Sequence, residues 1–390
     1  MSALYLLDPS PSPHWRPYQD SRPVAELRAG AWLIRERWEA IAGSEATTIF
    51  GPPHLHLFVE SGVPPVQAQS SVEGPAMIGR SEFAPSGIPP ELEMSASARL
   101  VHDGVTVGWW VPAGTRWDGP SDAGDAIEIE GVHLRGAWDV VTALEHLLAA
   151  DCADFVQDGG DAIPDGVTIL GEPHDVILLG ATVEPGVVFD VRQGAVVLEQ
   201  GAYVATGTRL QGPCYVGPGS VVLGGSVAGS ALGPQCRVRG EVSSVVFLGY
   251  ANKAHGGFVG HTVVGRWANL GAGTITSNLK NTYGNVRLDL GGSLVDTGRQ
   301  YLGTLVGDHV KTAIGTMLGT GTVLGLGANI FGDGRPAKYL PPFAWGLGGE
   351  RMREDGFLAV AERVMPRRQV TMDEGVRTML GALYRHATTA

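Results

Sequence analysis

Hydrophobic and polar positions fall into three regimes along the chain. Near the N-terminus Leu33, Ile34, Trp38 and Ile41 recur at helical spacing, and Gly43 follows where such a helix would stop. HLHLFVE (54–60) alternates as a strand does and runs into the breaker SGVPP. AWDVVTALEHLLAADC (137–152) reads as an amphipathic helix. Helices mixed with strands predict an α/β or α+β unit over residues 1–150.

From about residue 163 the helical period disappears. Val306, Thr312, Leu318, Leu324 and Ile330 stand six apart, with glycine after 306, 318 and 324. Val216-Gly217, Leu232-Gly233, Leu248-Gly249 and Val264-Gly265 are sixteen apart, and Val216/Val222, Leu232/Val238 and Val264/Leu270 add further steps of six. An apolar residue every six, followed by a small one, is the hexapeptide signature of a parallel β-helix, predicted here over 163–335. Each coil turns sharply, one apolar residue points inward, and stacked coils bury a continuous core. Residues 351–390 regain charge and predict two short helices split by Pro366, able to cap the open end of the stack.

Composition removes several function classes. Of 390 residues 57 are glycine, yet they lack the every-third spacing of collagen. The formal charge of −12 argues against nucleic acid as a partner, since no basic footprint for a phosphate backbone exists. Cys152, Cys214 and Cys236 form no CxxC pair, which fits a reduced, cytoplasmic chain. The N-terminal MSALYLLDPSPSPHW has no basic segment of a secretory signal. Val140–Ala150 is interrupted by Glu145 and His146, so no membrane span is expected.

Candidate chemistry concentrates in YANKAHGGFVGHTVVGRWANLGAGTITSNLKNTYGNVRL (250–288). LGAGTITSN with an upstream KAH resembles the acetyltransferase domain of the bifunctional bacterial N-acetylglucosamine-1-phosphate uridylyltransferase/glucosamine-1-phosphate acetyltransferase. The longer pattern, with RPVAELRAGAWLIRERWE and NIFGDGRPAKYLPPFAWG, resembles an alternative bacterial branch of that family. The resemblance implies a left-handed β-helix, a homotrimer, acetyl-CoA as co-substrate and a sugar phosphate as acceptor. It also implies a histidine general base. That suits a group titrating near ~6.5 that must take a proton from an amine.

By motif His255 is that base, following Lys253-Ala254, with His261 as fallback and Glu241 near the family's acidic helper. Asn269 and Asn278 match family asparagines that contact sugar and acetyl donor, and an amide suits such neutral groups. Phe258 stands where the family has a phosphate-binding tyrosine, and Ser243 or Ser244 where it has a lysine. Lys253, Lys280, Arg266 and Arg287 could supply the missing charge.

The first unit resembles a degenerate sugar nucleotidyltransferase. There a glycine-rich loop cradles the triphosphate with bare amides. Here DPSPSPH (8–14) has three prolines and no glycine, His14 replaces the loop arginine, and Arg22-Pro23-Val24 replaces Pro-Lys. Arg16, Arg22, Glu26 and Arg28 are its polar candidates; His54-x-His56 lacks a visible third metal ligand. The expected function is acetyl-CoA-dependent N-acyl transfer to an amino-sugar phosphate. The alternative is a sugar-1-phosphate nucleotidyltransferase, with Mg²⁺ needed only if the first unit is active. A third reading is a non-catalytic assembly or ligand-sensing protein.

Overall fold

The protein is described by a computed structural model over residues 2–87 and 96–389. In the first unit, strands β1 (Ala3–Leu7), β2 (Ala46–Phe50), β3 (Val66–Gln67), β4 (Ala76–Arg80), β5 (Ala98–His102), β6 (Val105–Val111) and β7 (Asp125–Glu128) form one sheet. Its order is β7-β5-β6-β4-β1-β2-β3. The pairs β1/β2, β1/β4 and β2/β3 are parallel, whereas β6 runs antiparallel to β4 and β5. Helix α1 (Ile34–Ala42) buries Ile34 and Trp38 and ends at Gly43, whose φ of 64° is the left-handed cap glycine adopts freely. Helix α2 (Asp139–Asp158) runs longer than its apolar pattern.

HLHLFVE is not a strand. Pro53–Leu55 is a 3-10 turn and the following residues are irregular. Pro53 has no N–H to give a ladder, and the buried residues, Leu55 and Phe58, are three apart as a turn requires.

Residues 168–345 form the left-handed parallel β-helix. One face is a nine-stranded parallel sheet from Val176–Leu178 to Tyr339–Leu340. Along it Leu178, Leu198, Val216, Leu232, Phe247, Val264, Val306, Leu324 and Leu340 point into the solenoid core. The intervening Ile177, Val197, Tyr215, Ala231, Val246, Val263, Leu305 and Val323 point out, yet belong to the core of the first unit. Strand alternation thus gives this face two apolar sides. The second is covered by the first unit, α2 contributing Leu144, Leu147, Leu148 and Cys152 over its N-terminal strands.

The sixteen-residue spacing is not the coil repeat. Leu232 pairs with Phe247, a step of 15, and Phe247 with Val264, a step of 17, so Leu248 lies one residue out of phase. Val264 pairs with Val306 because the coil between them carries an antiparallel hairpin, Arg287–Asp289 with Leu294–Asp296. Its Leu288 and Leu290 are buried in the first unit's core, and Arg16 donates from Nη1 to Leu290 O at 2.8 Å.

Helices α3 (Glu354–Val364) and α4 (Glu374–Thr389) are separated by a 3-10 turn, Met365–Arg368, that contains Pro366. Phe357 and Tyr384 pack on Phe343 of the last coil, as a cap would. The turn also reaches back along the stack, where Arg368 Nε donates to Gln235 O at 3.1 Å.

Candidate functional site

The residues singled out in 250–288 fall on three separate surfaces of the solenoid. The first is the corner carrying His255, whose side chain is exposed. Two residues earlier Lys253 is fully buried, and its Nζ donates to the carbonyls of Arg239 at 3.3 Å, Gly256 at 3.1 Å and His255 itself. Burial pushes this amine down to about 8. Lys253 therefore does not face solvent as a phosphate ligand. It staples the backbone of the His255 corner from inside. The signal was in the spacing: Lys253 stands six after Phe247 and six before Val259, both inward residues, and pairs with inward Val238.

Glu241 and Phe258 are register partners on adjoining coils beside this corner; the carboxylate is exposed and the ring half-buried. They lie on the face that the first unit leaves uncovered. Ile275 and Met317 are paired there and exposed at 39% and 47%, with Ile314 at 80%. Trp267, by contrast, is not part of an exposed patch. It is buried against Tyr250, ring centroids 4.4 Å apart.

The second surface is the seam with α2. Asn278 Nδ2 lies 2.8 Å from His261 Nδ1, and Glu145 Oε1 lies 3.7 Å from Nε2. Arg299 holds the same carboxylate with bonds of 2.8 and 2.9 Å, and Tyr301 stacks on the imidazole at 5.3 Å. Burial lowers the His261 pKa; Glu145 opposes that and Arg299 adds to it. Sequence reasoning missed Glu145, because a lone acid in an apolar helix carries no sign of its partner. Lys280 is spent locally, its Nζ donating to Asn285 O at 2.5 Å, and Arg287 is exposed.

The third surface holds Asn269. Asn252 Nδ2 donates to Asn269 Oδ1 at 2.8 Å, and the row continues in register to Lys311 and Asn329. Asn252 and Asn269 line a cavity of about 450 Å³ with Arg237, Tyr250, Trp267, Arg367 and Arg368. His255, Asn269 and Asn278 are thus not gathered into one pocket within a single chain.

In the first unit Arg22, Glu26 and Arg28 are buried and Arg16 is half-buried. Arg22 Nε donates to Asp308 Oδ2 at 2.9 Å, and Glu26 accepts from Arg35 Nε at 2.6 Å. Arg28 bonds Ala31 O and lies over the Tyr215 ring, 5.5 Å from its centroid. Arg266 is buried as well. It pairs with Glu60, its backbone N–H donates to Asp308 Oδ1 at 2.7 Å, and burial pushes its guanidinium down to about 9. Its role is to join the two units. His54 stacks on His386 at 4.1 Å and bonds Gln19 O at 2.8 Å.

Parallel strands β1, β2 and β4 direct their C-terminal ends toward the loop that follows β1, the usual ligand side of such a sheet. There Asp8 is buried and accepts from the amides of Val24 at 2.8 Å and Ala25 at 3.2 Å, and burial raises its pKa to about 7. Three of the loop's four non-proline amides are taken: Asp8 N by Phe50 O, Ser12 N by Gln19 Oε1 and His14 N by Ser12 Oγ.

No helix among the described residues is long and apolar enough to cross a membrane. Residues 5–158 match the family model for sugar nucleotidyl transferases. A bifunctional sugar-1-phosphate nucleotidylyltransferase/acetyltransferase of Sulfurisphaera tokodaii is 31% identical over 151 residues, 36% of each chain. The bifunctional protein GlmU of Methanocaldococcus jannaschii is 23% identical over 211 residues, covering 49% of this chain and 48% of that one. The GlmU of Methanococcus vannielii is 28% identical over 123 residues, 30% of this chain and 28% of its own. The chain thus spans at most about half the length of the curated relatives it matches. Residues 5–158 are a sugar nucleotidyl transferase-type domain, joined to a left-handed parallel β-helix in a chain similar, at modest identity, to bifunctional nucleotidylyltransferase/acetyltransferases.

Proposed function

We propose that the chain is a transferase that moves an acetyl group from acetyl-CoA to the amine of an amino-sugar phosphate, with His255 as general base. One contrast carries this reading. His255 offers an exposed imidazole on a backbone corner fixed by Lys253, whereas the ring nitrogens of His261 face Asn278 and Glu145. A base needs an unoccupied ring nitrogen within reach of the acceptor's proton.

In the reaction the acceptor is the neutral amine, and His255 takes one proton from its nitrogen as that nitrogen attacks. The nitrogen bonds to the thioester carbonyl carbon, and the C–S bond breaks as the tetrahedral oxyanion collapses. The departing thiolate takes back the proton from the imidazolium. The three cysteines are buried with thiol pKa values raised by burial, so no thiolate competes as a covalent carrier.

His255 stands on an exposed corner of the chain, apart from the cavity that Asn269 lines. The exposed Ile275 and Met317, with half-buried Phe258 on the adjoining face, suit packing against a second copy, and a homotrimer would complete the site. Glu241 stands at this edge, while Asn269 and Asn278 act through the other two surfaces or through a neighbouring copy. The domain division follows: 1–150 as the nucleotidyltransferase-like unit, 163–335 as the acyltransferase solenoid, 351–390 as the helical end.

The match of residues 5–158 to sugar nucleotidyl transferases favours a second reading, nucleotidyl transfer to a sugar 1-phosphate with Mg²⁺. The proline-rich loop argues against it, since only the Ser10 amide is left for a triphosphate. Incubating the protein with acetyl-CoA and glucosamine 1-phosphate, with and without UTP and Mg²⁺, tests both by product mass. An N-acetylated sugar phosphate is expected. Pyrophosphate release with no acetylated product would replace the first reading by the second.

A further inference from the structure

We propose that the cavity between the solenoid and the Met365–Arg368 turn is a binding site for a phosphate-bearing small molecule, held by Arg237, Arg367 and Arg368.

Three guanidinium side chains line one concave space of about 450 Å³, within the range of small-molecule sites. None of the three has a carboxylate within salt-bridge distance among the described residues, although many other arginines of this acidic chain do. Their hydrogen-bond acceptors are neutral, and the further cation of the lining, Lys311, is spent on Trp267 O and His309 O at 2.8 and 3.0 Å. Arg237 Nη1 donates to Gly219 O and Cys236 O, at 2.9 and 3.0 Å, and Arg368 Nε to Gln235 O. Arg367 is exposed and makes no side-chain hydrogen bond among the described residues. Gathering like charges without a counter-ion costs energy that an anion recovers, and a guanidinium pairs two N–H groups with two phosphate oxygens. Burial and the two neighbouring arginines lower the Arg368 pKa, as expected of a cation lacking its partner.

The cluster is held in place. Gln369, at φ 60°, sends its backbone N–H to Met365 O and Pro366 O, closing the turn that presents both arginines. Opposite them, Asn269 receives one bond at Oδ1 and keeps its amide N–H groups for a ligand hydroxyl or carbonyl. Tyr250 and Trp267 close the apolar side. Charge at one end, an amide in the middle and aromatic carbon at the other suit a phosphate ester better than a free inorganic ion.

The site stands independently of the base assigned above, because it is read by binding without turnover. Full-length protein is titrated calorimetrically with inorganic phosphate, glucosamine 1-phosphate, coenzyme A and UMP. The arm that binds tightest identifies the source of the phosphate. At least one ester should bind at micromolar to submillimolar concentration. Arg367→Gln, at an exposed residue the fold does not use, should weaken it several-fold, and Arg367→Gln with Arg368→Gln more than tenfold. No binding of any ester at 5 mM (roughly the weak limit of specific ligands), or binding unchanged in Arg367→Gln and in the double variant, overturns the proposal.

Discussion

The side-chain amide of Asn278 lies 2.8 Å from Nδ1 of His261, joining two candidates that stand 17 residues apart in sequence. With Nδ1 accepting that N–H, the ring proton sits on Nε2, toward Glu145, and neither nitrogen is left to abstract a proton. His255→Ala should therefore lower acetyl transfer by about 10² to 10⁴-fold, the range for losing a general base. His261→Ala should cost only a few-fold. Steady-state rates of both variants, with folding checked by circular dichroism, decide between them. The reverse ranking would move the base to the α2 seam.

The pairing of Arg266 with Glu60 crosses from the solenoid to the first unit in buried surroundings. Removing Arg266 leaves Glu60 with only the longer contact to Arg22 Nη2, at 3.4 Å. Arg266→Met should cost about 3–5 kcal/mol, and Arg266→Met with Glu60→Leu should regain part of it. Denaturant midpoints of the two variants measure this. A double variant no better than the single one would show that the charge pair is not the cause.

His309 and Lys311 give the protein two windows of acid sensitivity. His309 is buried against Trp267 and Phe357, and burial, Lys311 and Arg22 hold its pKa down near about 3, with Asp308 opposing. The folded state thus refuses a proton that the unfolded chain accepts. Stability present above 6.5 is lost as the pH falls toward about 3, at roughly 1.4 kcal/mol per unit. Burial lowers Lys311 from 10.5 to about 7, so it acts in the same sense over that higher window. His309→Gln should flatten the lower window and Lys311→Met the upper one in urea titrations at stepped pH.

If the uncovered face packs against other copies, charge placed in its centre will separate them. Ile275→Glu with Met317→Glu should convert a species near three chain masses to one near the 40.9 kDa of a single chain, read by light scattering. An unaltered trimer would place the contact on another face. A wild-type monomer would remove the homotrimer altogether.

The solenoid was legible because its geometry repeats in sequence. The inward positions are mostly apolar, and Val306, Leu318, Leu324 and Ile330 show it openly. Coil length varies more than the row does, so Leu248 kept the spacing while Phe247 took the inward place. The hairpin at 287–296 was invisible for a different reason. Its Leu288 and Leu290 answer to a core more than a hundred residues away in sequence, and no local period reports that. At the site, residue types could be read but not their directions. Lys253 looked like a free cation until its place in the inward row was known, and Glu145 like a mere interruption of an apolar helix.

Stacked coils that touch only their neighbours unfold piecemeal, the end coils opening before the middle. Here α2 lies along successive strands of one face, from Val176–Leu178 through Val196–Leu198 and Cys214–Val216 to Val246–Phe247. It works as a splint does on separate segments. A coil under it cannot loosen without lifting the helix, and the helix cannot lift without baring its partner coils together. The amides of these strands should accordingly exchange with solvent in one concerted opening rather than in a gradient from the N-terminal end.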